Sequence, residues 1–515
     1  MASFTPSVQQ AVFLDWISNG TGSCVLEAVA GAGKTTTLIE AISRTGGGVA
    51  FLAYNKKIAD EIKGKLGQRG IDWKTADAGT IHSFGFRAYR KAFPDVKVDG
   101  NKLATLAAVL LNDERHPLIA PLVKLVSLAK QRALGVLGSI DDKSLWFDII
   151  SHFDVLASED LDDDATERFV DAGIALLRSS NSVTDIVDFD DMVYLPLVKK
   201  VRFWRNKWVF VDEAQDTNPA RRALVRALLA PGGRVVAVGD RHQAIYGFTG
   251  ADSDSLDLIA QDFDCCRLPL TTTYRCPQAI VAFAQQWVSH IEAHESAPQG
   301  DVSSLPLSAL LGRPDLNGDS AILCRNTKPL VELAFKLIRA KVACKVEGRD
   351  IGLGLIKLAT KWKNAVTLHG LEVKLADWSN REITKALAKK NETRAQSVED
   401  QVATLQVIID QCRAERRDSV AAVVDAINEI FANDVSGILV LSTIHKSKGR
   451  EWNTVFWLDR AGTCPSKYAR QAWQQEQEIN LQYVAATRAK RSLVDLYAAP
   501  EGGQEFAREN EEAGI

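Results

Sequence analysis

A lysine and a threonine close a run of small residues in Ala28-Val29-Ala30-Gly31-Ala32-Gly33-Lys34-Thr35. About 180 residues later an apolar run ends on two acids, in Val209-Phe210-Val211-Asp212-Glu213-Ala214-Gln215-Asp216. The first string follows the strand-like Cys24-Val25-Leu26 and opens a helical stretch, Thr36 to Ala41. Small residues in such a place let backbone N–H groups close on a phosphate at a helix N-terminus. Ala30, Gly31, Ala32, Gly33 and Thr36 are therefore expected to line a polyphosphate, with Lys34 on its β- and γ-phosphates and the Thr35 hydroxyl on Mg²⁺. Asp212 is expected to hold the same Mg²⁺, and Glu213 to position the water that attacks the γ-phosphate. The apolar Trp208 to Val211 ahead of the pair argues against an ordinary solvated acidic helix. The chemistry is ATP hydrolysis, with ATP and Mg²⁺ required.

The elements that must hold these strings follow from the apolar runs. Val25–Leu26, Val49-Ala50-Phe51-Leu52, Trp208 to Val211 and Val235-Val236-Ala237-Val238 read as buried parallel strands in the first half. Ala321-Ile322-Leu323-Cys324, Ile438-Leu439-Val440-Leu441, Val455-Phe456-Trp457-Leu458 and Leu493 to Tyr497 form a second set. Residues 91–185 are helical in pattern and turn acidic near Glu159 to Asp164; residues 346–436 include the mixed-charge helical stretch Glu382 to Arg417. The fold class is α/β: two cores with parallel sheets, each interrupted by a mainly helical insertion. The first core is expected over 1–90 and 186–265 around an insertion at 91–185, the second over 266–345 and 437–515 around an insertion at 346–436.

Composition bounds the function. A length of 515 residues exceeds one ordinary domain, and 46% hydrophobic with 25% charged residues can build sizeable cores. A net charge of −3 gives no global basic signature, so a nucleic acid has to be held by a local groove rather than by passive coating. Eight cysteines occur without a CxxC pair, which favours reduced, mostly buried thiols in a cytosol-like compartment. No signal-peptide pattern and no run of 18 apolar residues is present, so the expectation is a soluble, unsecreted protein without a membrane partner. The polar, acidic tail Gln504 to Ile515 is expected to fray.

Further strings in fixed order resemble superfamily 1 helicases of the UvrD/Rep type over nearly the whole chain. Gly79-Thr80-Ile81-His82-Ser83-Phe84 is similar to that family's motif Ib, and Val238-Gly239-Asp240-Arg241-His242-Gln243-Ala244-Ile245-Tyr246-Gly247-Phe248 to its motif III. Leu270-Thr271-Thr272-Thr273-Tyr274-Arg275 resembles motif IV, Thr443-Ile444-His445-Lys446-Ser447-Lys448-Gly449-Arg450-Glu451-Trp452 motif V, and Tyr483-Val484-Ala485-Ala486-Thr487-Arg488-Ala489-Lys490 motif VI. Asp188-Phe189-Asp190-Asp191 resembles a segment that precedes motif II. The resemblance implies two RecA-like P-loop domains with ATP hydrolysed between them. It implies a γ-phosphate sensor in Gln243, and Arg275 and Arg488 as second-core arginines that stabilise the transferring phosphoryl group. Phe4-Thr5-Pro6-Ser7-Val8-Gln9-Gln10-Ala11-Val12 resembles the adenine-reading Q motif, with either Gln9 or Gln10 as the reader. By the same resemblance Tyr274 stacks on adenine and Glu451 accepts from a ribose hydroxyl.

On the nucleic-acid side, aromatic stacking platforms and phosphate contacts grip a single strand. Tyr246 and Phe248 are the expected platforms, while Asn55, Lys56, His82 and His445 are expected to meet phosphates or sugars. The chain departs from the family pattern in four places. Leu52-Ala53-Tyr54-Asn55-Lys56 shifts the motif Ia aromatic by one position, Thr249 replaces a usual arginine, Arg450 and Trp452 replace Leu and Phe of motif V, and the second insertion is short. That last feature is closer to compact viral or F-box-helicase-like relatives. Roughly 25 residues follow Lys490, too few for the nuclease domain of recombination-type relatives.

The expectation is an ATP-dependent DNA helicase or single-stranded DNA translocase moving 3′ to 5′, acting on single strands and single-strand/duplex junctions beside replication or recombination proteins. Its place would be the cytoplasm or the nucleoid or nucleus, virus-encoded origin included. The rivals are an ATP-switched single-stranded nucleic-acid-binding protein without processive movement, an RNA helicase, and a small-molecule phosphotransferase that would leave motifs III to VI without a role.

Overall fold

The computed structural model describes residues 4–156, 161–247, 254–388, 392–431, 437–469 and 471–497. Two compact units emerge, the first running from the N-terminus to Tyr274 and the second holding most of the remainder. Each is built on a six-stranded sheet in which every neighbouring pair is parallel. The chain is thus α/β with two RecA-like parallel-sheet domains.

In the first sheet the strands lie in the order Ala76–Thr80, Val49–Ala53, Asn206–Val211, Leu229–Gly239, Ser23–Ala28, Cys265–Leu270. The four inner strands coincide with the apolar runs, because a parallel strand covered on both faces is apolar throughout. The last strand corrects the expected division at 265/266. Cys265–Leu270 pairs with Ser23–Ala28 along its whole length, from Ser23 opposite Cys265 to Ala28 opposite Leu270, and so belongs to the first sheet.

Between the strands, helices Lys102–Leu111, Ile119–Gln131, Lys143–His152 and Asp163–Ser182 surround a core of their own that includes Leu125, Trp146, Val170 and Leu177. This helical layer is tied to the sheet unit by buried charge. Lys130 Nζ lies 2.6 Å from Asp188 and 2.7 Å from Asp191, and Lys102 Nζ lies 2.7 Å from Asp191. All four side chains are nearly or wholly buried. The Asp188-Phe189-Asp190-Asp191 string therefore serves as an ionic anchor for the insertion. Close approach reinforces it: a Cβ on Gly85, in helix Ile81–Ala92, would lie 2.1 Å from the Met192 carbonyl oxygen, so only glycine fits there.

The second sheet runs Asp301–Pro306, Ala489–Tyr497, Trp452–Leu458, Ser320–Cys324, Leu439–Thr443, Cys344–Val346. Helices Arg349–Ala359, Leu368–Ala388, Glu392–Ala414 and Val420–Ile430 share one core with it, in which Leu371, Leu405 and Ile427 join Leu333, Leu441 and Phe456. Asp400 reaches from this helical layer to accept from the Thr327 and Lys328 backbone N–H groups, capping helix Thr327–Arg339 from outside the helix. Among the described residues no helix is long and apolar enough to cross a membrane. The tail Gln504 to Ile515 and Glu159 and Asp160 of the acidic stretch lie outside the described residues.

Removing one partner of a buried ion pair strands the other charge in a low-dielectric interior. Lys130→Met is accordingly expected to destabilise the chain by about 3–5 kcal/mol in denaturant titration. Lys143→Met, which breaks an exposed pair with Glu167 and Asp171, should shift the midpoint little.

Candidate nucleotide and nucleic-acid site

The small-residue loop follows strand Ser23–Ala28 and leads into helix Lys34–Arg44. Gly31 and Gly33 both take φ of +74°, a left-handed backbone that residues with a Cβ rarely adopt. The helix starts with no side-chain cap, so its first amides remain turned toward the loop, where an anion would satisfy them. Thr35 follows Lys34 in the first turn. Thr36 is exposed, whereas Thr37 is buried.

Three loops leave adjacent strands of this sheet at their C-terminal ends, the position at which open parallel sheets build ligand sites. They carry Lys34, the pair Asp212 and Glu213, and Asp240 with Gln243. Lys34 Nζ lies 3.1 Å from Glu213. The Gln215 side-chain amide donates to Glu213 and accepts from the Asp240 backbone N–H at 3.1 Å. Asp240 in turn accepts from Gln243 Nε2 at 2.6 Å and from the His242 backbone N–H at 3.0 Å. One hydrogen-bonded chain thus runs from Lys34 through Glu213, Gln215 and Asp240 to Gln243. A Cβ on Gly239 would lie 2.4 Å from Gln215 Oε1, so the glycine makes room for the bridging amide.

Burial sets the charge states here. Desolvation pulls the Lys34 ammonium down, but Glu213, Asp240 and Asp212 outweigh it and hold its pKa above the ordinary value. Asp212 is pushed up to about 7, chiefly by burial and then by repulsion from Glu213, against the pull of Lys34. Three carboxylates against one ammonium leave a site that suits a divalent cation. Asp212 and the Thr35 hydroxyl are the residues that would hold Mg²⁺, the remaining ligands being phosphate oxygens and waters. Among the described residues no cluster of three or more His, Cys, Asp and Glu forms a metal cage of its own. Glu213 adopts φ 49° and ψ 46°, a strained conformation for a non-glycine residue that aims its carboxylate at Lys34.

The two glutamines are placed differently. Gln9 is occupied on both sides of its amide by Thr271, donating to Oγ1 at 2.8 Å and accepting from the backbone N–H at 2.8 Å. Gln10 is buried, donates to Thr37 Oγ1 at 2.9 Å, and accepts from Ser7 N at 2.9 Å and from the Tyr274 hydroxyl at 3.4 Å. A Cβ on Gly33 would lie 3.3 Å from Gln10 Nε2 and 3.8 Å from the Tyr274 ring. Gln10 and the half-exposed Tyr274 therefore flank the phosphate loop, and the Tyr274 backbone N–H is pinned to Gly31 O at 2.9 Å.

In the second unit Arg275, Glu451 and Arg488 gather around Thr487. Arg275 Nε donates to Glu451 at 2.6 Å and its Nη1 to Thr487 O at 3.3 Å. Burial would raise the Glu451 pKa, but Arg275 and Lys490 hold it below the usual carboxylate value. Arg488 is 1% exposed, and its guanidinium donates to Val484 O at 3.0 Å and Arg450 O at 3.2 Å. Any phosphate contact by Arg488 requires exchange of those carbonyl bonds. Glu451 and Arg488 lie at the N-terminal ends of their strands, held level by the Trp452–Ala489 pairing.

The residues expected to touch a nucleic acid divide similarly. Tyr54 stacks on Tyr246, with ring centroids 6.1 Å apart and planes 10° off parallel. Asn55 caps helix Lys56–Gln68 by accepting from Ile58 N at 2.9 Å, while Lys56 is exposed. His82 lines a cavity of about 150 Å³ with Lys130, Gln131, Asp190, Asn218 and Arg221. Burial, then Arg221, lowers its pKa to about 4. His445 follows strand Leu439–Thr443 at the opposite edge of the second sheet from Glu451, and burial with Arg325, Lys446 and Lys448 lowers its pKa to about 3. Both histidines are neutral at physiological pH and offer hydrogen bonds rather than charge. Phe248 and Thr249 lie outside the described residues.

The sequence family described as UvrD/REP helicase N-terminal domain matches residues 10–264, and that described as UvrD-like helicase C-terminal domain matches residues 355–499. The chain belongs to the UvrD/Rep helicase family. It is 28% identical over 306 residues to the ATP-dependent DNA helicase Rep of Escherichia coli, a match that covers 54% of this chain and 42% of that relative. It is 27% identical over 330 residues to DNA helicase IV of the same organism, covering 53% of this chain and 46% of the relative. A probable DNA helicase II homolog of Mycoplasma pneumoniae is 25% identical over 312 residues, covering 55% of this chain and 42% of the relative. The matched stretches thus span less than half of these curated relatives.

Three residues of the site carried no sequence assignment. Gln215 and Asp240 bridge the motifs, and Tyr54 supplies the ring that faces Tyr246. Gln215 was signalled by its position two residues after Glu213, and Tyr54 by the displaced aromatic of motif Ia.

The depressed histidines give stability a direction with pH. An unfolded histidine binds its proton near pH 6.5, the folded His82 only near pH 4, so stability is lost as pH falls through that window. His82→Gln should therefore unfold with a shallower loss between pH 6.5 and 4 than the parent, measured by denaturant midpoints across the window.

Proposed function

We propose that this chain is an ATP-dependent DNA helicase or single-stranded DNA translocase, moving 3′ to 5′ as the family resemblance implies. The observation that carries the reading is the continuous hydrogen-bonded chain from Lys34 to Gln243, which joins phosphate loop, acidic pair and sensor within one unit. The names of the Rep, helicase II and helicase IV relatives supply DNA as the track.

In this reading the amides at the start of helix Lys34–Arg44 bind the polyphosphate and Lys34 exchanges its contact with Glu213 for the γ-phosphate. Glu213, released from Lys34, then accepts a proton from the attacking water. Mg²⁺, when bound by Thr35 and Asp212, supplies charge neutralisation at the phosphates. Gln243 senses the γ-phosphate and passes its position to Asp240, Gln215 and Glu213 through the bonds already in place. Gln10 reads the adenine edge and Tyr274 stacks on the base, supported by their place beside Gly33. Hydrolysis takes place between the two RecA-like units, with Arg275 and Arg488 supplied by the second, Glu451 taking the ribose, and nucleotide-driven closure moving the strand. Tyr54 and Tyr246 form the aromatic wall for a base; Asn55, Lys56, His82 and His445 meet the backbone.

Lys34→Ala is expected to abolish ATP hydrolysis with unchanged circular dichroism, since the side chain faces the loop rather than a core. Glu213→Gln should retain fluorescent ATP-analogue binding and lose turnover by at least a hundredfold. Wild-type turnover in either folded variant would remove its residue from the mechanism.

Stimulation of hydrolysis by single-stranded DNA against RNA, with unwinding of 3′- and 5′-tailed duplexes, tests the whole assignment. The expected pattern is stimulation by DNA that grows with strand length, and unwinding only from a 3′ tail. Turnover that stays flat with length would point to a nucleotide switch instead.

A further inference from the structure

The N-terminal edge of the first sheet, opposite the nucleotide loops, carries a feature that the family site does not use. Between Asp191 and Asp212 no acid occurs, and residues 199–207 hold five cations, Lys199, Lys200, Arg202, Arg205 and Lys207. All five are exposed, and among the described residues none of them forms an ion pair. Trp204 stands among them at 83% exposure.

The local fold makes this presentation specific. Val201 packs against the helical core and Phe203 against the sheet core, so the alternation directs Arg202 and Trp204 outward. Asn206 is buried and donates to Trp204 O at 3.1 Å, which fixes the backbone that carries the indole.

A second indole lies along the same edge. The backbone bonds Val49 N to Thr75 O at 3.1 Å and Trp208 N to Gly48 O at 3.0 Å set the starts of three neighbouring strands level with one another. Lys207 lies beside Gly48, and Thr75 beside Gly47. Trp73, 73% exposed, and Lys74 directly precede Thr75. The acid of that segment, Asp72, turns back to accept from Thr75 N and Oγ1 at 2.9 Å and 2.8 Å. With strands roughly 4.8 Å apart, the segments before Thr75 and Lys207 are about 10 Å apart across the edge.

Lys74 Nζ lies 5.9 Å from the Trp73 ring centroid. Exposed indoles interleaved with exposed cations, those of residues 199–207 outside any ion pair, match a flexible polyanion whose bases are free to stack, which is single-stranded nucleic acid. A duplex keeps its bases stacked internally and offers the indoles nothing, and a carbohydrate polyanion has no bases. In a chain of net charge −3 such a concentration of positive charge is a local device. We propose that Trp204, Arg202, Arg205 and Lys207, with Trp73 and Lys74, form an accessory site for single-stranded DNA on the sheet edge remote from the nucleotide loops. The inference rests on the reading of the chain as a DNA translocase, to which it adds a second contact with the strand.

Equilibrium binding of the full chain to a long fluorescent oligothymidine, without nucleotide, tests it. Trp204→Ala should weaken binding about 5- to 100-fold, the equivalent of one lost base stack, and Trp204→Phe should restore most of it. Arg202→Ala and Arg205→Ala should each reduce the slope of log affinity against log salt by about 0.7. Heparin binding should fall with Arg205→Ala and not with Trp204→Ala. Circular dichroism and the melting midpoint confirm that each variant is folded. Parental affinity in folded Trp204→Ala, equal loss for heparin, or equal loss for blunt duplex would each overturn the proposal. DNA-stimulated hydrolysis by the parent separates the two readings: stimulation with a neutral Trp204→Ala removes this surface alone, and absent stimulation removes the translocase.

Discussion

A lysine facing three carboxylates, two of them buried, is the constraint on which the nucleotide loops of the first unit depend. Lys34, Glu213, Asp212 and Asp240 stand on loops from three parallel strands, and the ammonium and the acids set one another's charge states. The strand order places Leu229–Gly239 between the strands that carry Lys34 and Asp212, so Asp240 leaves the sheet in the middle of the group. Gln215 completes it, because an amide can donate to one carboxylate and accept from the backbone N–H of the next. In the mechanism proposed above, motion of Lys34 toward a phosphate would free Glu213, whose carboxylate is already bonded through Gln215 to the Asp240 loop. On that proposal, coupling from phosphate to Gln243 would need no larger rearrangement than an exchange of hydrogen bonds.

The second unit uses its sheet differently. Arg275, Glu451 and Arg488 collect at the N-terminal ends of strands Trp452–Leu458 and Ala489–Tyr497, whereas Arg325 and His445 stand at the C-terminal ends of Ser320–Cys324 and Leu439–Thr443. The cluster around Arg275 and the pair Arg325 and His445 therefore occupy opposite edges of one sheet. The Glu478 carboxylate, 4% exposed, holds Arg325 through bonds of 2.8–3.2 Å and accepts from Ser466 N, fixing the C-terminal edge. Buried bidentate pairing of this kind keeps a charged side chain in one rotamer, at the cost of desolvation, and suits a position whose geometry matters more than its mobility.

The inner strands were legible in the sequence and the edge strands were not, for one reason. Val49–Ala53 and Ser320–Cys324 are buried at every position and so read as apolar runs. Ala76–Thr80, Cys265–Leu270, Asp301–Pro306 and Cys344–Val346 close the two sheets at their sides, and Asp301–Pro306 has no fully buried residue. With one flank free, their composition is set by water as much as by the core, and periodicity carries no signal. The misplaced boundary at 265/266 is a direct result. At the site, residue type and spacing drew attention to Lys34, Asp212 and Glu213, and the motif III resemblance to Gln243; the structure joins Lys34, Glu213 and Gln243 through Gln215 and Asp240. The burial of Arg488, the engagement of Gln9 by Thr271 and the bridging by Gln215 depend on what lies across the fold, which no single string encodes.

Where the cations are spent decides how such a chain meets a polyanion. Lys34, Lys102, Lys130 and Arg488 are committed to internal carboxylates or carbonyls, and His82 and His445 stay neutral. The motif residues proposed to face a strand thus offer rings and hydrogen bonds, with exposed Lys56 among the few full charges. Binding at these motifs should be weakly salt-dependent, because the slope counts phosphates neutralised. A steep dependence would have to come from charge outside the motifs, and residues 199–207 hold the densest unpaired positive run that the described first unit presents. On the two proposals together, the salt slope of the intact chain would measure how the strand is shared between the weakly charged motif track and the strongly charged edge.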